Sequence, residues 1–239
     1  VNIYTPLEGS LQLHWVIQAT ALAAGILVVT GLVIRRQIAA ANGGVVPDEG
    51  VTLRNITEVV IDGLASTAQG VMGEEWRRYF PIVGTIFAFI LVSNVIGLIP
   101  GIEGATSDVN TTTAWAVITF FIYNYIGIKT HGVWYINQFL GPSFFEVEIA
   151  GKHIHVRPLF FFFFPLEVVL HLARILTLSV RLLANMFADH TVVAVWILLV
   201  PVVIPAVFMA LGLLVACLQA FVFSLLTMIY INQALSEPH

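Results

Sequence analysis

Long stretches free of Asp, Glu, Lys and Arg alternate with short polar connectors along this chain of 239 residues. The first apolar run, residues 11–34, spans about one bilayer at ~1.5 Å per helical residue. It ends on Arg35 and Arg36, and the cytoplasmic bias of cations places the N-terminus outside. A turn-rich connector with two glycines and Pro47 follows. Between residues 51 and 72, Leu53, Ile56, Val60, Leu64 and Val71 recur at helical spacing opposite Arg54, Glu58 and Asp62. That pattern predicts an amphipathic helix in the cytoplasmic interface, or one packed on another protein. The charged residues Glu74, Glu75, Arg77 and Arg78 then anchor a second span at 79–99. An outer loop carries Pro100, Gly101, Glu103 and Asp108, and a third span at 109–128 returns to Lys129. Residues 130–158 form a cytoplasmic loop in which 146–149 and 152–155 alternate around Ala150 and Gly151, the pattern of a short β-hairpin.

The C-terminal third differs. Five consecutive phenylalanines precede Pro165, and a helix predicted over 166–190 carries most of the polar groups expected to be buried. After His190 no Asp, Glu, Lys, Arg or His occurs until Glu237, and Pro201 and Pro205 divide that run into a short segment and a helix at 203–235. A helix of that length measures roughly 50 Å against a hydrocarbon core of about 30 Å, so it must tilt, bend or protrude. The expected fold is a single all-α polytopic membrane domain over residues 1–239. It has three spans roughly perpendicular to the membrane, a surface amphipathic helix, and a C-terminal hairpin of two long, strongly tilted helices.

Composition agrees: 59% of residues are hydrophobic and 10% charged, against roughly 25% charged in a soluble domain, and mean hydropathy is +0.94. The net charge of −4 and the lack of a basic patch with interleaved aromatics argue against a nucleic-acid partner. The one cysteine, Cys217, lies in an apolar run, where a packing role is expected and an intrachain disulfide is not possible. The first apolar run lacks a small-residue cleavage site and is long enough to span, so it is not read as a signal peptide.

Helical arithmetic at ~100° per residue changes the picture of residues 166–190. With Glu167 at zero, His171 falls at about +40°, Arg174 at about −20°, Arg181 at about −40°, Asn185 at about 0° and Asp189 at about +40°. These six share a stripe of about 80°, while Thr177 flanks it and His190, at about +140°, lies off it. Such a stripe must face water, another subunit, or both. On the last helix Gly212, Ala216, Gln219, Phe223, Tyr230 and Gln233 share one face and are the expected partners, small residues permitting close approach. Arg174 is seven residues from Glu167, so a structural ion pair and a functional cation are equally open for it. Arg181 has no acid at i±3 or i±4. A permanent cation in mid-membrane costs at least about 2.5–3.5 kcal/mol and arginine cannot shed its charge, so its counter-charge is expected from another chain or from water.

Other chemistry is thin. His153 and His155 share a face of the expected hairpin, which is the pattern of a surface strand more than of a metal site. His171 and His190 are on different helix faces, against a haem pair. No zinc-protease, phosphate-loop or nucleophile-elbow motif is present.

The segment LTLSVRLLANMFA at 176–188, followed by LQAFVFSLLTMIY at 218–230, resembles subunit a of the membrane sector of rotary F-type ATP synthases. SNVIGLIP at 93–100 and SDVNTT at 107–112 extend the similarity, which covers about residues 79–237. The resemblance implies proton conduction through two offset half-channels at the rim of a rotating c-subunit ring. It implies that Arg181 is the essential arginine, with Asn185 and Gln219 beside it. His190 stands where the family carries a channel acid or histidine, Glu167 matches an acid on the cytoplasmic exit side, and Asp108 one at the outer entrance. Where some members place an ionisable group facing His190 from the last helix, this chain has Gly212, and Asp189 is expected to supply the acid instead. The implied partners are the c-ring, the peripheral-stalk b subunits, lipid and protons, with no cofactor, no metal and no site for ATP chemistry. The implied location is a bacterial plasma (inner) membrane. The competing readings are a stand-alone channel or secondary transporter, which would show a pore or an inverted repeat, and a haem-bearing respiratory subunit.

Overall fold

The computed structural model describes residues 15–40, 52–99, 101–132, 145–149, 152–156, 160–200 and 203–236. Six helices carry the fold: α1 (Trp15–Ala40), α2 (Leu53–Met72), α3 (Trp76–Gly97), α4 (Val109–His131), α5 (Phe160–Leu199) and α6 (Val203–Leu235). Strands β1 (Phe145–Ile149) and β2 (Lys152–Val156) pair antiparallel, with Glu146 opposite His155 and Glu148 opposite His153. The expected connector at 41–47 lies outside the described residues.

Local signals set most of the helix ends. The Thr52 hydroxyl accepts the Asn55 N–H at 3.3 Å and opens α2. Gly73 closes it with φ 61°, a conformation that costs glycine little, and turns the chain into α3 through a short 3-10 turn. Asp108 caps α4 by accepting the Asn110 N–H at 2.7 Å, while Lys129 and His131 sit in its last turn, where cations complement the helix dipole. His131 also bonds the Leu235 carbonyl at 3.2 Å, tying the end of α4 to the end of α6.

The core is shared among the helices, with α6 contributing along most of its length. Leu64, Ala68 and Met72 of α2, Tyr79 and Val83 of α3, Tyr123 and Ile126 of α4, and Met228 and Ile231 of α6 form one cluster. A second joins Ile86 and Ile90 to Ala116, Leu178, Leu182, Ala220 and Phe223. The outer surface is apolar as well: Val28, Val29, Phe121, Leu198 and Val203 are each more than half exposed. Soluble proteins rarely leave so much apolar area uncovered. Among the described residues four helices are long and apolar enough to cross a membrane: Trp15–Ala39, Leu53–Gly97, Val168–Leu199 and Val203–Leu235. The fold is that of a polytopic helical membrane protein. Helix α4, at 23 residues, is long enough but less apolar, because Thr111, Thr112 and Thr119 are polar positions on its buried side.

Three expectations are corrected. Helix α5 does not stop at His190 but runs unbroken for 40 residues, taking in Pro165 and the segment 191–199 that was expected to stand apart. Pro165 falls early, where it forfeits a single i→i−4 bond, and nothing between His190 and Leu199 breaks a helix. In α2, Arg54 is not on an open polar face: it is fully buried, and its Nε donates to Glu58 at 3.0 Å. Leu53, Ile56 and Val59 are exposed instead. Cys217 is exposed, so it does not pack within this chain.

The end of α3 meets the outer loop through glycine. Gly104 lies against the Ser93 carbonyl and the backbone of Gly97, so any Cβ there would press on backbone atoms. Gly104→Ala is therefore expected to destabilise the outer loop by about 1–3 kcal/mol, as overpacking does. Thermal unfolding of the purified protein would register it, and an unchanged midpoint would show that the loop is not held by this contact.

Candidate functional site

Helices α5 and α6 run antiparallel, and their polar contacts step up one as they step down the other. Nearest the start of α5, the Arg174 guanidinium donates to Gln233 Oε1 at 2.9 Å and stacks 4.8 Å from the Tyr230 ring centroid. Three turns on, Asn185 Nδ2 donates to Gln219 Oε1 at 2.8 Å. One further turn on, Asp189 lies against Gly212: a Cβ there would sit 3.6 Å from Asp189 Oδ2 and 2.7 Å from Leu98 Cδ2. A Cβ on α6 at this position would thus meet the end of Leu98 and touch the Asp189 carboxylate.

The structure divides the polar stripe by neighbour. His171 is 4% exposed and packs edge-on to Phe120, so it serves the α4–α5 interface. Arg174 is engaged with Gln233 and Tyr230 of α6, and its expected pairing with Glu167 involves a side chain outside the described residues. Glu167 lies on α5 fourteen residues before Arg181, about 21 Å along the axis, and its side chain is outside the described residues. Arg181, Asn185, Asp189 and His190 are all half-buried, at the edge of the face that α5 turns into the bundle. The Arg181 guanidinium has no hydrogen-bond or ion-pair partner among the described residues, and Thr177, Val180 and Ala184 around it are exposed. Beside it the Gln219 Nε2 group is buried without a hydrogen-bond partner. An orphan donor of that kind is rare, and a further group is its usual remedy.

A second group forms toward the outer loop. Asp189 and His190 share a cavity of about 180 Å³ with Gly97, Leu98, Gly101 and Met186. Its walls are mostly apolar, including Val193, Ala194 and Ile197, with Asp189 and His190 as its ionisable groups, and it is roomy enough for water. The Ser107 hydroxyl lies 3.4 Å from His190 Nε2. Asp108 is next in sequence and spends one carboxylate oxygen on its cap. Off the stripe, His190 is brought in by this loop contact rather than by the helix face alone.

Sequence reasoning missed Ser107, the buried Asn94–Thr106 pair (2.7 Å) that braces the same loop, and a cluster of hydroxyls between α4 and α5. Serine and threonine in a helix are uninformative by pattern, because they also bond back to their own backbone, as Thr191 and Thr227 do here.

Comparison with known proteins bears on all of these positions. The family model for the ATP synthase A chain matches residues 17–232, a stretch that contains every candidate residue. The chain is 40% identical to the ATP synthase subunit a of Geobacter sulfurreducens over 221 residues, 92% of this chain and 90% of that protein. It is 43% identical over 187 residues to the ATP synthase subunit a 1 of Pelobacter propionicus, 78% of this chain and 76% of that one. A further relative, the ATP synthase subunit a 1 of Syntrophotalea carbinolica, is 36% identical over 237 residues, 98% of this chain and 92% of its own length. With the match running through both long C-terminal helices and the loop that meets them, the chain belongs to the ATP synthase A chain family.

Proposed function

We propose that the chain is the proton-conducting stator subunit of an ATP synthase membrane sector. Two offset half-channels deliver protons to and from a ring carboxylate on neighbouring c subunits, and Arg181 separates them. The observation that carries this reading is the half-buried guanidinium of Arg181, near the middle of the 40-residue α5, without a hydrogen-bond or ion-pair partner among the described residues. A membrane-helix cation without a partner among the described residues calls for an anion from elsewhere.

The chemistry follows from electrostatics. A ring carboxylate facing lipid is neutral, because an isolated buried anion is heavily penalised. Opposite Arg181 it ionises, since a nearby cation lowers its pKa. Protons enter from the outer loop beside Asp108 and Ser107, cross the cavity shared by His190 and Asp189, and neutralise one carboxylate, which then moves into lipid. The preceding carboxylate releases its proton toward Glu167 on the cytoplasmic side. Arg181 blocks direct passage between the two paths, and Asn185 and Gln219 hold the helices together beside it. Each charge crossing is worth about 2.3 kcal/mol per 100 mV, so several crossings are summed for each ATP. In this role the subunit is stator and ion path, works with the peripheral-stalk b subunits in the plasma membrane of a bacterium, and leaves ATP chemistry to other subunits.

A single cysteine at Val180 or Ala184, with Cys217 replaced by alanine, is expected to crosslink to a cysteine beside the c-subunit carboxylate in the assembled complex. Crosslinking confined to positions on α1 would place the ring against another face and overturn the assignment.

A further inference from the structure

We infer that Thr112, Thr113 and Ser179 set the rotational register of α5, pinning to α4 the face opposite Arg181 so that the guanidinium is turned out of the bundle. The Ser179 hydroxyl lies 3.0 Å from that of Thr113 and 3.3 Å from that of Thr112, across the α4–α5 interface. Thr112 in turn donates to the Asp108 and Val109 carbonyls at 3.2 and 3.1 Å. One assignment uses every hydroxyl proton once: Thr113 donates to Ser179, Ser179 to Thr112, and Thr112 to the backbone where α4 begins. Thr112 is fully buried and Ser179 is 7% exposed. Because the run ends on a backbone carbonyl, it is an anchor rather than a proton wire.

Position on the helix gives the anchor its consequence. Ser179 precedes Arg181 by two residues, a rotation of about 200°, so fixing one inward directs the other outward. The rest of the inward face, Leu178, Leu182 and Met186, is held by apolar contact, which has no directional preference. In lipid the hydrophobic effect does not drive helices together, and interhelical hydrogen bonds are among the few contacts that specify their orientation. The Asn185–Gln219 bond pins α5 to α6, and the hydroxyl cluster pins it to α4. One pin lets a helix roll; two pins on different neighbours define its azimuth. Thr113 and Ser179 touch no proposed proton carrier, Thr112 meets Asp108 only at its backbone carbonyl, and all three are positioning residues. Their effect on coupling rests on the role proposed for Arg181, while the register itself does not.

The test uses the complete complex in lipid vesicles with Cys217→Ala as background. Single cysteines at Thr177 and Leu183 report the azimuth of α5 through their ratio of maleimide labelling. Ser179→Ala and Thr113→Val are each expected to change that ratio and to lower coupled pumping about threefold to tenfold, the range one interhelical hydrogen bond supports. The double variant is expected to be no worse than Ser179→Ala alone, because both changes remove the same link. An unchanged labelling ratio in both single variants overturns the register, whatever happens to pumping. Additive losses overturn the shared link. A changed ratio with wild-type pumping keeps the register and counts against the role of Arg181. Should Ser179→Ala not assemble, Thr113→Val, which leaves the Ser179–Thr112 bond in place, decides the matter by the same ratio.

Discussion

Arg181→Ala is expected to abolish ATP-driven proton pumping in the assembled complex while leaving the subunit folded in the membrane. Folding survives because the guanidinium has no hydrogen-bond or ion-pair partner among the described residues, so truncation deletes a costly charge and none of their polar contacts. Arg174 is the control: Arg174→Ala removes the bond to Gln233 and the stack on Tyr230, and is expected to weaken the α5–α6 pairing instead. Without a cation opposite it, the ring carboxylate keeps its proton across the stator, since an adjacent positive charge lowers a carboxyl pKa by about 1–3 units. The ring then turns past the stator without exchanging protons, so ATP-driven rotation moves no charge. Lysine is not expected to rescue, because an ammonium desolvated in the membrane sheds its charge far more readily than a guanidinium. Dye-monitored acidification of inverted vesicles, with the amount of assembled subunit measured in parallel, decides the point. Coupled pumping by the alanine variant at the parental rate would sink the assigned role.

The second large effect concerns Asp189. Asp189→Gly is expected to slow proton flux by about tenfold with assembly intact, less than the roughly 100-fold or more that loss of a proton-transfer group usually costs, because His190 remains in the cavity. The prediction is stronger here than for an average channel carboxylate. Gly212 offers no ionisable substitute, and the Asp189 carboxylate lies within van der Waals contact of where a Cβ at 212 would sit. Asp189→Asn keeps shape and volume but cannot carry a proton, so it is expected to be as slow as the glycine variant. Flux at the parental level in Asp189→Asn would remove this residue from the relay and leave it a packing role against Gly212.

Legibility from sequence followed the range of the interaction involved. The polar stripe needed only a period of 3.6 residues, so Arg181, Asn185 and Asp189 stood out before any coordinates. The lack of a local acid for Arg181 was equally a matter of spacing. The extent of α5 is not legible because Pro165 reads as a break although it falls near the helix's beginning, and because the polar stripe that marks the helix ends at Asp189 while the helix runs on to Leu199. The α2 pattern places Arg54 toward water by the average behaviour of charged residues, yet Arg54 is buried while its partner Glu58, one turn away, keeps its side chain exposed.

What the chain determines by itself is its solvent and its periodic faces. Apolar runs of bilayer length demand helices in lipid, where each backbone polar group must be satisfied within its own segment. What only the tertiary structure decides is which distant atoms share a site. The Ser107 hydroxyl at His190, the Asp189 carboxylate at Gly212 and the Thr113–Ser179 link join residues separated by 83, 23 and 66 positions. Contacts of that kind depend on the angle and rotation at which whole helices pack. Those are set by the sum of many small, mostly non-directional contacts, and no local pattern in the sequence records that sum.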